Sequence, residues 1–237
     1  MKKFGADNGL TLKAKNNLAN CLIAQEKYGE AEREIRSVLA IQERVLGPDK
    51  PNTLSSRLTL ANVLQWEGKY ANAEADLRVL VPVSTRVLGA GHPRTLSCRS
   101  SLISVLLFEK RFAEAQSELR DLIPIQARVL GKDHPETLDS RRMLADSWSR
   151  MGKDKEAEQE YLKFIPLREK VRGPDHPETL KDYYRLAIIL HNLHKDQEAL
   201  PYARRAYLGR LKVFGKDHSA TIEARKLVEF LSKSTQS

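Results

Sequence analysis

Four histidines stand in matching positions before helical segments, and they are the first residues whose chemistry must be considered. They are His92, His134, His176 and His218. Three of them follow an aspartate, and a histidine beside a carboxylate could serve in acid–base catalysis or bind a metal ion. Equivalent loops of stacked helices, however, lie roughly 10 Å apart, whereas ligand bonds to zinc are only about 2 Å long. We therefore interpret these histidines as turn and cap residues and predict no metal and no cofactor.

Other catalytic patterns are missing from the sequence. No nucleophile elbow, phosphate-binding loop or zinc-binding helix motif is present, and these are the local signatures of common hydrolase, nucleotide and metalloprotease sites. Cys21 and Cys98 each fall within a helical pattern, and we expect both to pack as small apolar residues. The sequence favours a protein that is not an enzyme.

The histidines belong to a repeat. Residues 130–138 recur closely at residues 172–180, and weaker copies are spaced evenly along the chain. The linker glycines are separated by 42 residues without slippage: Gly5, Gly47, Gly89, Gly131, Gly173 and Gly215. Such a fixed period is typical of stacked structural repeats. We predict repeats at 5–46, 47–88, 89–130, 131–172 and 173–214, with a terminal capping helix and tail at 215–237.

Two helices are predicted in each repeat. In the second repeat, apolar residues at helical spacing indicate one helix over Thr53 to Glu67 and another over Ala71 to Val87. The linker glycine suits the left-handed residue that ends a helix, and the linker proline suits the first helical turn. The Asp or His before that proline is a natural N-cap, and Asp133 and Glu136 have the spacing of a capping box.

Composition narrows the class of protein. Among 237 residues, 41% are hydrophobic and 30% are charged, which is the profile of a folded, soluble chain. No apolar run approaches the roughly 20 residues that span a bilayer, and the N-terminus has no signal-peptide core. The net charge of +9 could suggest nucleic acid, but acidic and basic residues are interspersed throughout. We expect a reduced, cytoplasmic protein that contacts neither membrane nor nucleic acid.

A family resemblance rests on the packing residues of the repeat. The pattern Leu18-Ala19, Tyr28 and Glu30-Ala31 returns in later repeats, as at Leu144-Ala145 and Glu156-Ala157. It resembles the tetratricopeptide signature, and the 42-residue period with its Gly-x-Asp-His-Pro-x-Thr-Leu linker resembles the variant in kinesin light chains and in the repeat tails of many nucleotide-binding signalling proteins. The resemblance implies an all-α fold: a right-handed α-solenoid of tandem helix-turn-helix repeats with a C-terminal capping helix, in a single array over 1–237.

The resemblance also implies a groove lined by the first helix of each repeat. Counting from the repeated leucine of that helix, we expect the following groove residues: Asn16, Asn20, Leu58, Asn62, Gln65, Trp66, Ser104, Phe108, Arg142, Arg150, Tyr184 and His191. Trp66 and Phe108 share a register and could be exposed anchors for a ligand, or they could pack against the next repeat. The asparagines could bond a peptide backbone, and Arg142 and Arg150 could bind a carboxylate.

Two further positions are interpreted as structural. Arg57, Arg99 and Arg141 share one register, flanked by Lys15 and Tyr183. We expect them to form a series of ion pairs with neighbouring carboxylates rather than a ligand site. Trp148 occupies a position held by leucine in the other repeats, so we expect it in the core.

The expected function is protein binding. Related arrays hold extended peptides, some with an aromatic residue flanked by acids, so the resemblance implies a non-catalytic scaffold for a protein or peptide ligand. One alternative is a regulatory or sensor region of a larger signalling protein of the nucleotide-binding ATPase type. Another is self-association through the N-terminal repeat, because Phe4-Gly5 near the start of the sequence matches the linker at Leu46-Gly47, whereas the C-terminal helix looks like a cap.

Overall fold

The computed structural model describes residues 9–235, and within that range the chain forms eleven α-helices and no strand. The predicted start of the first repeat at Gly5 lies outside the described residues. The helices are α1 (Gly9–Ala24), α2 (Tyr28–Val45), α3 (Pro51–Trp66), α4 (Tyr70–Leu88), α5 (Pro93–Phe108), α6 (Phe112–Val129), α7 (Pro135–Arg150), α8 (Asp154–Arg172), α9 (Pro177–Asn192), α10 (Asp196–Phe214) and α11 (Ser219–Ser234). The predicted all-α arrangement of tandem helix-turn-helix repeats is confirmed.

Each linker histidine caps the helix that follows it. The Nδ1 atoms of His92, His134, His176 and His218 accept a hydrogen bond from the backbone N–H two residues later, at 3.1–3.3 Å. Such a bond satisfies one of the N–H groups that the first helical turn leaves unpaired. The cap interpretation of the histidines is confirmed, whereas the proposed aspartate cap is wrong because the N-cap position of α7 is His134.

The linker glycine and threonine close the loop. Gly173 has φ +88° and ψ +159°, a backbone conformation that is essentially restricted to glycine. The Thr179 hydroxyl donates a 2.9 Å hydrogen bond back to the Gly173 carbonyl, and Thr137 binds the Gly131 carbonyl in the same way at 2.8 Å. The repeated linker motif is therefore explained by local backbone bonding.

The chain divides into two compact units between Glu118 and Leu119, within α6. In unit 1, consecutive helices pack around buried side chains such as Leu54, Leu77 and Ile103. In unit 2, the core is built from larger residues, including Tyr161 and Phe164. Fully buried alanines recur at one position of the second helices, where helices approach closely: Ala31, Ala73, Ala115, Ala157 and Ala199.

The expected series of ion pairs is confirmed in both units. Each basic residue of the register binds a carboxylate on a neighbouring helix: Lys15 with Glu34 at 3.5 Å, Arg57 with Glu43 at 2.5 Å, Arg99 with Glu118 at 3.1 Å and Arg141 with Glu160 at 2.5 Å. The Tyr183 hydroxyl donates to Glu169 at the flanking position. These residues connect neighbouring helices.

Three sequence expectations need correction. Leu18 is 47% exposed, although its counterparts Leu60 and Leu186 are buried. Cys21 is exposed while Cys98 is buried, so only the second cysteine behaves as a core residue. Trp148 packs against the core but is only partly buried.

Candidate functional site

A pocket lined by amides and hydroxyls lies between α1, the end of α2 and α3. Its volume is about 530 Å³, which is within the range of ligand pockets. We call it the amide pocket, and its lining residues are Leu12, Asn16, Asn20, Gln42, Val45, Leu46, Asn52, Ser55, Ser56 and Thr59. None of these side chains is charged, so the pocket offers neutral donors and acceptors beside a small apolar surface.

Gln42 is the most unusual member of the amide pocket. Its side chain is almost completely buried, yet its Oε1 atom has no hydrogen-bond partner among the described residues. A buried polar atom without a partner costs about 1–3 kcal/mol. This oxygen is enclosed by the chain, and Gln126, at the same place two repeats later, has unpartnered amide atoms as well.

A second pocket of about 530 Å³ occupies the corresponding place in unit 2, between α9, the end of α10 and α11. We call it the arginine pocket. Six of its lining residues stand four periods of 42 residues after six residues of the amide pocket: Tyr184 after Asn16, Ile188 after Asn20, Arg210 after Gln42, Phe214 after Leu46, Ala220 after Asn52 and Glu223 after Ser55. The same fold position thus carries aromatic and charged groups in place of amides.

Arg210 dominates the arginine pocket. It is only 6% exposed, its Nη1 donates a 2.8 Å hydrogen bond to the Ala220 carbonyl, and its guanidinium lies 4.4 Å from the centre of the Tyr184 ring. Burial lowers the pKa of the Arg210 guanidinium from its usual value, because removal from water disfavours the charged form.

One repeat before the arginine pocket, the equivalent place between α7, α8 and α9 contains a cluster of charged side chains. Arg168 and Asp182 are both fully buried, with Nε and Oδ2 2.8 Å apart, and Arg168 also binds Asp139 at 2.7 Å. Arg142 binds Asp146 at 3.2 Å and lies 4.0 Å from Asp182. Burial raises the pKa of Asp182 to about 7, although both arginines oppose the shift. This position is filled by the chain's own ion pairs.

Several predicted groove residues take part in bonds between neighbouring first helices. The Ser101 hydroxyl donates to the Asn62 side-chain oxygen at 2.8 Å, and Gln65 Nε2 donates to the Ser104 hydroxyl at 2.7 Å. These bonds link α3 to α5 within unit 1. The polar side chains predicted for a ligand are here engaged with each other.

The sequence left open whether Trp66 and Phe108 are exposed or packed against another repeat, and both descriptions apply in part. Each is half-exposed, at 50% and 57%. Each also contacts a tyrosine at the start of the preceding repeat's second helix: Trp66 meets Tyr28 with ring centres 5.9 Å apart, and Phe108 stacks on Tyr70 at 5.2 Å. One face of each ring is structural, and the exposed remainder is available for contact.

The other predicted residues are spread over both units. Leu58 is half-buried on α3. His191 in unit 2 binds Asp196 through Nδ1 at 2.7 Å and meets the edge of Phe230. Tyr184 lines the arginine pocket, and Arg150 is exposed at the end of α7. In the described part of the chain, no group of three His, Cys, Asp or Glu side chains is arranged to hold a metal ion.

Sequence reasoning missed Gln42 and Arg210 because both stand on second helices, whereas the groove was assigned to first helices. A signal was present in the repeat alignment. The position is polar in every copy although it falls on the apolar side of the helix: Gln42, Ser84, Gln126, Arg168 and Arg210.

Comparison with known proteins identifies the fold. Models described as tetratricopeptide repeat match residues 10–65, 99–170 and 149–210, and residues 53–94. Comparison with curated proteins gives no match. No described helix has both the length and the apolar character needed to cross a membrane.

Solved structures agree with these models. Two are of a Podosopora anserina kinesin light chain-type protein with nearly identical TPR-like repeats. One is 25% identical, has a TM-score of 0.73 and covers 86% of this chain and 96% of that one. A variant of that protein with one substitution is 24% identical with a TM-score of 0.76, covering 89% and 99%. YrrB, described as a TPR protein with an unusual peptide-binding site, is 14% identical with a TM-score of 0.55, covering 94% of each chain. The chain therefore belongs to the tetratricopeptide repeat family, in its kinesin light chain-like form.

Proposed function

We propose that the chain is a non-catalytic protein–protein interaction module that receives an extended segment of a partner in the amide pocket of unit 1. The observation that carries this proposal is the pocket itself, which is lined by the asparagine side chains of α1 and by Gln42 of α2. The arrangement offers binding groups but no nucleophile with an adjacent base.

The chemistry of the pocket suits a polypeptide backbone. A side-chain amide both donates and accepts hydrogen bonds, so Asn16 and Asn20 could bond the N–H and C=O groups of one extended strand. Leu12, Val45 and Leu46 supply an apolar surface for a partner side chain. Because the pocket is neutral, its contribution to affinity should depend little on salt.

Exposed aromatic groups in the same unit support protein binding. Trp66 and Phe108 each leave about half of their surface open while a tyrosine fixes the ring. Rigid aromatic side chains are enriched among residues that contribute most to binding energy. The likeness to YrrB, a protein with a peptide-binding site, is consistent with the proposed protein-binding function. We also propose a cytoplasmic location for this module.

A selection of unstructured peptides from a display library on the purified chain tests the proposal. We expect enriched peptides to share a motif and to lose binding to the double variant Asn16→Ala, Asn20→Ala. Asn17→Ala is the matched control, because Asn17 is exposed on α1 and does not line the pocket. Circular dichroism should show that all variants are folded. No enrichment, or equal binding by the double variant, would contradict the proposal.

A further inference from the structure

Two arginines occupy equivalent interior positions in unit 2 and have different electrostatic surroundings. Arg168 and Arg210 stand 42 residues apart at the same place on α8 and α10. Arg168 is fully buried and has two carboxylates within 3 Å, those of Asp139 and Asp182. Its charge is balanced within the chain.

The carboxylate that balances Arg168 is missing from the next repeat. Asp182 lies 14 residues after Arg168, and the residue 14 after Arg210 is the buried Ala224. In unit 1, Ser84 and Cys98 have the same separation and lie in contact, so this register brings the two positions together. Among the described residues, no carboxylate lies within 4 Å of the Arg210 guanidinium, which instead binds a backbone carbonyl and the Tyr184 ring.

The Glu223 carboxylate acts on Arg210 only from beyond 4 Å, and Arg185 opposes it, so the desolvation of the buried guanidinium is only partly compensated, which is costly. Arg210 lines a pocket that is open and large enough for a ligand. Three cationic side chains line that pocket, Lys181, Arg185 and Arg210, against the carboxylates of Glu178 and Glu223. Glu178 already lies 3.9 Å from Arg142. The pocket therefore has an excess of positive charge around a buried donor.

We propose that the arginine pocket binds a carboxylate carried by a partner segment, which supplies to Arg210 the counter-ion that Asp182 supplies to Arg168. The proposal rests on the proposed protein-binding function and assigns a charge preference to a second place on the chain. A guanidinium holds a carboxylate through two parallel N–H···O bonds. Tyr184 and Phe214 would flank the bound group and limit its access to water.

Fluorescein-labelled peptide mixtures provide the probe. One mixture has a central Glu-Glu pair between randomised neutral positions and an amidated C-terminus. A second has Gln-Gln at the centre and is otherwise the same, and a third has Gln-Gln with a free C-terminal carboxylate. Fluorescence polarisation at about 0.15 M salt measures affinity while screening long-range attraction to the positively charged chain. We expect the Glu-Glu mixture to bind at least about tenfold more tightly than the amidated Gln-Gln mixture, as for one charge-assisted hydrogen bond.

Three variants locate the preference. Arg210→Gln keeps a donor but removes the charge, and Ala224→Asp places an internal carboxylate at the register of Asp182. Both should reduce the preference for Glu-Glu to less than about twofold, within the range of exposed charge effects. Arg204→Gln is the matched control, since Arg204 is exposed on the same helix and lies outside the pocket.

The outcomes separate the two proposals. If the preference survives in Arg210→Gln or Ala224→Asp, or is lost equally in Arg204→Gln, general surface charge explains it and the arginine-pocket proposal is wrong. If all mixtures bind equally and depend on Asn16 and Asn20, only the arginine pocket fails. If no mixture binds, the proposed function fails with it. If only the free C-terminus binds through Arg210, the carboxylate comes from a chain end and the proposal stands.

Discussion

The amide pocket of unit 1 and the arginine pocket of unit 2 occupy the same position of the repeat but present different chemistry. In the first, Gln42 lies beside Asn16 and Asn20; in the second, Arg210 lies beside Tyr184. The backbone position is set by the 42-residue register, whereas the side chains decide which ligand the position suits. One position of a repeat fold can therefore carry different side-chain chemistry in different repeats.

The charge cluster between α7, α8 and α9 is a third example of the same repeat position. Within unit 2, Arg142 is paired with Asp146, and Arg168 is paired with Asp139 and, above the raised pKa of Asp182, with that carboxylate too. A position that satisfies its own charges has little to gain from a ligand, because binding must then replace existing bonds. The difference between a structural site and a binding site is here the presence or absence of one carboxylate.

The largest expected effect is the loss of stability when Arg168 is replaced, compared with the loss when Arg210 is replaced. Arg168→Ala should lower the free energy of unfolding by about 3–5 kcal/mol, since it leaves the buried Asp182 without its nearest cation. Arg210→Ala should cost only about 1–2 kcal/mol, since it removes one hydrogen bond and a ring contact. Urea unfolding followed by circular dichroism measures both. Equal losses would show that Arg210 is as fully compensated as Arg168.

The second prediction uses pH to test the charge cluster. The pKa of Asp182 is raised from 3.8 to about 7, so the folded chain holds a proton that the unfolded chain has released between those values. Stability should therefore fall as pH rises through this window, by up to about 1.4 kcal/mol for each pKa unit. The comparison is with Asp182→Asn, which cannot titrate, in urea unfolding at about pH 5 and pH 7.5. A wild-type chain that loses no more stability than the variant over this range would contradict the prediction.

The smallest effect concerns one glycine in each unit. A Cβ atom on Gly209 would lie 2.2 Å from Leu180 Cδ2, whereas one on Gly29 would meet only Glu67 Oε1 at 3.4 Å. Gly209→Ala should lower stability, because overpacking costs about 1–3 kcal/mol, more than the about 1 kcal/mol that alanine gains in a helix. Gly29→Ala should raise it by about 0.4–1 kcal/mol. Thermal unfolding of the two variants should move in opposite directions, and a shift of the same sign would count against this account.

The fold could be predicted from the sequence because its signals are local and repeated. The helix over Thr53 to Glu67 differs from α3 by only two residues at its start and one at its end. The ion-pair series was also predictable, since one register placed a basic residue on each of the first four first helices. The hydrogen-bond partners of individual side chains were harder to predict from the sequence. Asn62 and Ser101, for example, meet only because α3 packs against α5.

The binding positions were the hardest to predict. Assigning the groove to first helices found Asn16 and Tyr184 but omitted Gln42 and Arg210, which reach the same pockets from second helices. A single polar residue in a repeat is easily taken for a local exception. The comparison of equivalent positions across repeats is what distinguishes Arg210 from Arg168.

The fixed spacing of the inter-repeat contacts has a consequence for how such a chain can change in length. Glu32 binds Lys69 and Glu74 binds Arg111, each 37 residues on, at 2.7 and 2.5 Å. Removal of residues 33–74 would bring Arg111 to the place of Lys69 and restore an equivalent pair. Recombination between whole repeats can therefore shorten or extend the array while keeping its interfaces, whereas loss of part of a repeat would misalign the contacts across the deletion.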